Sequence, residues 1–215
     1  AVVTIVGAIS VADAKQIADA LTAGLSAGDG RLAQLPTVAR PEAARTIRIA
    51  HPAQQAHLLL GMPAIARDNP DYFAFLVGNY ILGGGGFASR LMNEVREQRG
   101  LAYSVSSTFS AALQPGLFRI ALQTKKDQAD TALNLVNSTL ERFRRDGPTA
   151  AELRDAKANL INGFPLRLDS NHKLLDYLAL IGWYRLPPDY LGTWTRKVAA
   201  VGAASHGRAF TRRPG

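Results

Sequence analysis

The sequence predicts an α+β fold in which helices pack on one face of a mostly antiparallel sheet. Three observations predict it. Strand patterns come in adjacent pairs, the segment Gln114-Pro115-Gly116 is a strong turn signal between two alternating runs, and the second half of the chain carries helical spacing. A doubly wound parallel sheet fits worse, because it would alternate strand and helix throughout.

Residues 2–8 read as a buried strand, and Ser10 is placed to cap a helix whose apolar stripe is Ala14, Ile17, Ala18, Leu21 and Leu25. Residues 27–44, with Gly28, Gly30, Pro36 and Pro41, read as a connecting loop. Ile47 and Ile49 then alternate with Thr46 and Arg48, and residues 56–62 form a more buried strand, so the two are expected to be sheet neighbours. Asn69-Pro70 starts a helix by cap and first-turn logic. Tyr72, Phe73, Leu76, Val77, Tyr80 and Ile81 line its buried side until Gly83 stops it.

A second helix is expected over about 88–99. Gly100 stands where helices turn left-handed, with Leu101 able to pack back on the last turn. Residues 103–109 and 117–124 alternate and should form a hairpin. Ala129, Ala132, Leu133, Val136, Leu140 and Phe143 make one helical stripe, and Thr149 with Glu152 is a capping-box start for another, which Gly163 and Pro165 should break. Leu174, Leu175, Leu178 and Ile181 form a further apolar face. Pro187-Pro188-Asp189 precedes a final helix ending near Ala200.

Composition narrows the classes of function. The chain has 215 residues, 47% hydrophobic and 20% charged, which suits one largish domain or two small ones. No run of apolar residues is long enough to span a bilayer, and the opening lacks the basic start and cleavage site of a signal peptide. The absence of cysteine excludes disulfides, thiol catalysis and Cys-ligated zinc, and suits either cytoplasm or periplasm. The net charge of +8 raises the question of nucleic acid. The bases are mostly dispersed, with small knots at Arg142, Arg144 and Arg145 and at Arg212 and Arg213, and no stacking array or reading helix accompanies them, so no nucleic-acid partner is expected.

A self-sufficient catalytic centre is also missing from the pattern. His51, His57, His172 and His206 have neither HxxEH nor HxxxH spacing, so no helix presents two imidazoles to one metal, and no metal site is assigned. His51 and His57 could face each other near the strands, where paired histidines are usually structural. There is no GxSxG elbow, and the run Gly83, Gly84, Gly85, Gly86 lacks the Lys-Ser/Thr of a phosphate-binding loop.

The most distinctive stretch is LGGGGFASRLMNEVREQRGLAYSVSSTF, residues 82–109. Here the chain resembles the second, non-zinc-binding domain of the pitrilysin/insulinase peptidases and the related mitochondrial processing peptidases. VVTIVGAIS, QQAHLLLGMPAIARDNPDYFAFLVGNYILGG and INGFPLRLDSNHKLLDYLALIGWYRLPPDYLGTWTRKVAAV extend the resemblance from residue 2 to about 201. It implies an α+β roll occupying residues 1–215 as a single domain, half of a complete two-domain chain, two such domains forming half of a clamshell around an unfolded peptide. It further implies that zinc and the catalytic glutamate lie on an HxxEH-bearing partner domain or chain, and that this domain needs that partner to act on extended peptide. The resemblance assigns catalytic roles to Arg96 and to Tyr103, seven positions later. Attack on a peptide carbonyl places negative charge on its oxygen, and a Tyr hydroxyl with a guanidinium offers fixed donors to that oxygen and the adjacent backbone.

Gly83, Gly84, Gly85 and Gly86 correspond to the position where processing-peptidase partner subunits elaborate a glycine-rich loop, which makes them substrate-binding candidates; a tight connection between two packed helices is the simpler use. The residues alone leave other uses open. Arg96 could pair with Glu94 or Glu97, and Tyr103 shares strand parity with Val105 and Phe109, as a core-edge aromatic would. At the level of the whole chain the alternative is a non-catalytic scaffold like the respiratory-complex core proteins.

Overall fold

The structure is a computed structural model, and it describes residues 1–26, 28, 34, 36–39, 41–203, 205 and 210. Three antiparallel strands, β1 (Gln55–Pro63), β2 (Val105–Ser110) and β3 (Leu117–Lys125), form one sheet in the order β1-β3-β2. Antiparallel neighbours joined by a short turn account for the β2–β3 hairpin, whose register sets Val105 opposite Leu122 and Ser107 opposite Ile120. On the other side of β3, Leu58 faces Leu122 and Leu60 faces Ile120.

Period-two alternation then decides the faces. Val105, Ser107, Phe118, Ile120 and Leu122 point to the inner face and are buried, while Leu59 on the outer face is 71% exposed. The helices cover the inner face. Helix α2 (Tyr72–Asn79) buries Ala74 and Val77, and its continuation Tyr80–Gly84 buries Ile81 and Leu82. That continuation is wound one residue wider, with the Gly85 N–H donated to Tyr80 O at 2.8 Å. Helix α3 (Ala129–Asp146) inserts Ala132, Val136 and Phe143. Helices α4 (Ala150–Asn162), α5 (Asn171–Trp183) and α6 (Tyr190–Ala199) close the core with Leu160, Ile181, Trp194 and Val198. All but Ile65 of the buried apolar residues described belong to one continuous cluster, so the α+β expectation with helices on one face is met.

Most local signals act as their chemistry requires. Thr149 Oγ1 accepts from Glu152 N while Glu152 Oε2 accepts from Thr149 N at 2.7 Å, the reciprocal cap expected for α4. The helix ends at Asn162, before Gly163 and Pro165. Ser10 accepts from Asp13 N at the start of α1 (Val11–Thr22). Three expectations fail. Residues 2–8 are not a strand: Val2 is 61% exposed and lies against Gly182 of α5, so this backbone packs beside a helix and has no ladder partner. Ile47 and Ile49 are not in the sheet either, at 68% and 85% exposure, and Arg48 pairs with Asp130 of α3 at 2.8 Å, which ties the segment to the helical layer. The stripe of α1 likewise buries none of that helix's residues. Gly30, Arg212 and Arg213 lie outside the described residues.

Candidate functional site

Arg96 stands in the last turn of a short helix, Met92–Glu97, that is held from beneath by fully buried Leu91 and Val95. Gly100 ends this helix with φ 60°, a left-handed conformation that glycine adopts without a Cβ clash. The Gly100 N–H is donated to Arg96 O at 2.8 Å and the Leu101 N–H to Val95 O at 2.9 Å, so two of the last carbonyls are satisfied and the chain reverses sharply. Tyr103 follows in the short connection before β2.

The reversal brings Arg96 and Tyr103 together. The Arg96 guanidinium carbon lies 4.9 Å from the centre of the Tyr103 ring and 4.6 Å from that of Phe87, within reach of both π faces. Tyr103 is 84% exposed. It stands before the strand begins, and parity with buried Val105 does not carry it inward, so the core-edge reading of Tyr103 is overturned. Arg96 Nε stands 3.4 Å from Glu97 Oε1, a long and weakly held pair in which Arg96 is half-buried and Glu97 exposed. Glu94 is engaged elsewhere, accepting from Arg99 at 2.9 Å and from Arg142 at 2.8 Å. Two of the three bases in the Arg142, Arg144, Arg145 knot are thereby matched, since Arg145 pairs with Asp146.

Beside Tyr103, on the open face of the sheet, is a hollow of about 330 Å³ lined by His57, Leu59, Ser104, Ser106 and Gln123. Neither Phe87 nor this hollow is signalled by spacing alone. Phe87, 64% exposed directly after four glycines, is a clue that composition-based reading passes over.

The four glycines are not equivalent. Gly83 is buried, and a Cβ there would come within 2.6 Å of Ser107 N and 2.9 Å of Leu91 Cδ1. Gly84 would meet the Asn79 amide at 2.6 Å, and Gly85 the Tyr80 carbonyl oxygen at 2.7 Å. Gly86 has φ 59° with nothing within 4 Å of an added Cβ. Close packing therefore explains Gly83, Gly84 and Gly85, although Gly84 is exposed, whereas Gly86, exposed beside Phe87, is the member of the run with open space around it.

Below this surface, Arg90 donates from Nε to Glu152 Oε1 at 2.6 Å, from Nη2 to Glu152 Oε2 at 2.7 Å and to Gly147 O at 2.8 Å. Burial alone would raise the Glu152 carboxyl, but the Arg90 hydrogen bond and two from Thr149 outweigh it and hold its pKa at about 2. This bidentate pair clamps the start of α4 to the chain segment between Phe87 and Arg96.

Among the described residues no three His, Cys, Asp or Glu side chains converge as metal ligands, so these residues do not fit a zinc ion. His206 lies outside the described residues. Among the described residues no helix is long and apolar enough to cross a membrane.

Comparison with known proteins completes the picture. The family model described as the peptidase M16 inactive domain matches residues 1–160. An uncharacterized zinc protease of Streptomyces coelicolor is 37% identical over 137 residues, which are 64% of this chain and 30% of that protein. A protein of Helicobacter pylori described as a non-peptidase homolog is 40% identical over 119 residues, 53% of this chain and 26% of that one. The crystal structure of a peptidase M16 inactive domain from Pseudomonas fluorescens superposes with a TM-score of 0.87 at 38% identity, covering 94% of this chain and 48% of that chain. The chain thus spans about half of that solved chain and under a third of the curated relatives cited.

Proposed function

We propose, from the premise that this chain belongs to the peptidase M16 family as an inactive domain, that it is the substrate-binding, transition-state-assisting domain of a zinc metalloendopeptidase acting on unfolded peptides. The observation that carries the reading is the Arg96–Tyr103 pair: a half-buried guanidinium 4.9 Å from the centre of a ring whose residue is 84% exposed. The two side chains belong to different elements, yet both are donors that a peptide carbonyl can use in the same place. The hollow beside Tyr103 offers Ser104, Ser106 and Gln123 to an extended backbone. Zinc stays with an HxxEH-bearing partner domain or subunit, and what this chain supplies is positioning and hydrogen-bond donors to the peptide.

A second reading has its own support. The Helicobacter relative is described as a non-peptidase homolog, so a scaffold role on the same fold is the alternative. One reconstitution separates the two. The chain alone should cleave no unstructured peptide, and mixing it with an HxxEH-bearing family partner should produce cleavage that a chelator abolishes. Activity from the isolated chain, or a partner whose activity is indifferent to it, would sink the first reading.

A further inference from the structure

A second cavity, of about 570 Å³, opens on the helical side of the molecule between the start of α2 and the turn joining α5 to α6, and it shares no lining residue with the Tyr103 hollow. Its distinguishing feature is Arg67. The side chain follows β1 and is anchored by its own backbone, whose N–H is donated to Ala112 O at 2.8 Å. The residue is only 7% exposed. Its guanidinium lies 3.8 Å from the centre of the Tyr72 ring and 5.1 Å from that of Tyr190, and Nη2 donates to the Tyr190 hydroxyl at 2.5 Å.

Among the described residues no carboxylate comes within ion-pair distance of Arg67. A buried cation is expensive unless paired, and aromatic faces with one neutral hydroxyl neutralise nothing. The Tyr190 oxygen is already an acceptor from Arg67, so its own proton is left to donate. Burial pushes the Tyr190 phenol up, against the pull of Arg67, and the Tyr72 phenol is raised by burial as well, so both stay protonated at neutral pH. Lys197 adds a second cation to the same cavity, its ammonium 5.4 Å from the Tyr190 ring centre and 5.7 Å from that of Phe73. Arg185 lines it too, in a left-handed backbone conformation (φ 51°) uncommon for a residue with a Cβ. Exposed Asp68 and half-buried Asp71 also line the cavity, but neither pairs with a base there.

We propose that this cavity binds a carboxylate carried on an apolar body, the chemistry of the C-terminal residue of a peptide, with Arg67 and the Tyr190 hydroxyl as donors, Lys197 as the second charge, and Tyr72 and Phe73 as the apolar wall. A planar guanidinium matches a carboxylate edge, and the rings beside it favour a ligand whose charge sits next to an apolar side chain. The proposal does not rest on the catalytic reading of Arg96 and Tyr103.

Isothermal titration of the 215-residue chain with an acetylated tripeptide ending in leucine tests it, using the free acid, the C-terminal amide, and an amide ending in glutamate. The acid should bind at least tenfold more tightly than either amide. Lys197→Met should weaken the acid roughly three- to tenfold with thermal unfolding close to the parent, and Tyr190→Phe, which also takes a hydrogen-bond acceptor from buried Arg67 and so lowers the melting temperature, by a similar factor. Arg67→Gln should abolish binding, and the two milder variants keep the test valid if that protein fails to fold. Equal binding of acid and amide, no binding of the acid at millimolar concentration, tighter binding of inorganic phosphate, or parent-like binding by both Lys197→Met and Tyr190→Phe would each overturn the proposal.

Discussion

The Arg96 guanidinium carbon stands 4.9 Å from the centre of the Tyr103 ring, and the same charge is 4.6 Å from that of Phe87. A cation–π contact on exposed rings is worth only ~0.5–1 kcal/mol, so its consequence is orientation more than stability. Stacking limits the directions in which both side chains can point while the Tyr103 hydroxyl stays open to solvent.

Tyr103→Phe should therefore leave thermal stability unchanged, because Tyr103 is 84% exposed and supports no core contact. With an HxxEH-bearing partner present, loss of one transition-state donor should lower kcat by roughly a hundred- to a thousand-fold, with KM much less affected. Steady-state kinetics on the reconstituted pair checks this, and turnover within threefold of the parent would remove Tyr103 from the catalytic assignment.

Arg96→Lys keeps the charge but loses the planar fork that lies against two rings. Turnover should fall at least tenfold while the melting temperature moves little, since the Glu97 contact at 3.4 Å is a weak surface pair. Full activity in the Lys variant would mean that Arg96 supplies charge alone or nothing.

The glycine run offers a test that separates packing from function. Gly83→Ala sets a methyl 2.6 Å from the Ser107 backbone nitrogen, where neither neighbour can easily move, so destabilisation of about 1–3 kcal/mol is expected. Gly86→Ala meets open space and loses about 1 kcal/mol only through its left-handed backbone. Chemical denaturation should rank the two in that order. If Gly86→Ala also impairs peptide binding while Gly83→Ala, once folded, does not, the exposed end of the run is the part that touches substrate.

Legibility in the sequence followed the range of the interaction. The Thr149–Glu152 cap, the Gly100 reversal and the β2–β3 hairpin are set by residues a few positions apart, and spacing revealed them. Residues 2–8 and the Ile47–Ile49 alternation also looked like strands, but a strand exists only with a ladder partner, and Val2 lies against α5 while Arg48 reaches α3. The Arg96–Tyr103 proximity followed from the turn between them. Phe87 completes that stack, and Arg67 meets Tyr190 across 123 positions of sequence, contacts that no local pattern encodes.

The Arg90–Glu152 clamp gives a pH-dependent signature. Glu152 in the folded chain has its pKa depressed to about 2 from an ordinary value of 4.5, so its contribution to stability is fully present above pH 4.5 and is lost as the pH falls towards 2. Glu152→Gln removes the charge that two Arg90 nitrogens address, while its amide oxygen can still accept from the Thr149 N–H and keep the capping box closed. At neutral pH this should cost about 1–2 kcal/mol, a hydrogen-bonded pair discounted for its partial exposure. Other carboxylates titrate identically in both proteins, so the difference in unfolding free energy between parent and variant isolates Glu152. That difference should be constant from pH 7 to about 5 and should shrink steadily between pH 4.5 and 2.5 in thermal or urea melts. A gap that stays the same across the acid range would mean that the carboxylate charge contributes nothing and that the clamp acts through packing of Arg90 on Phe143 alone.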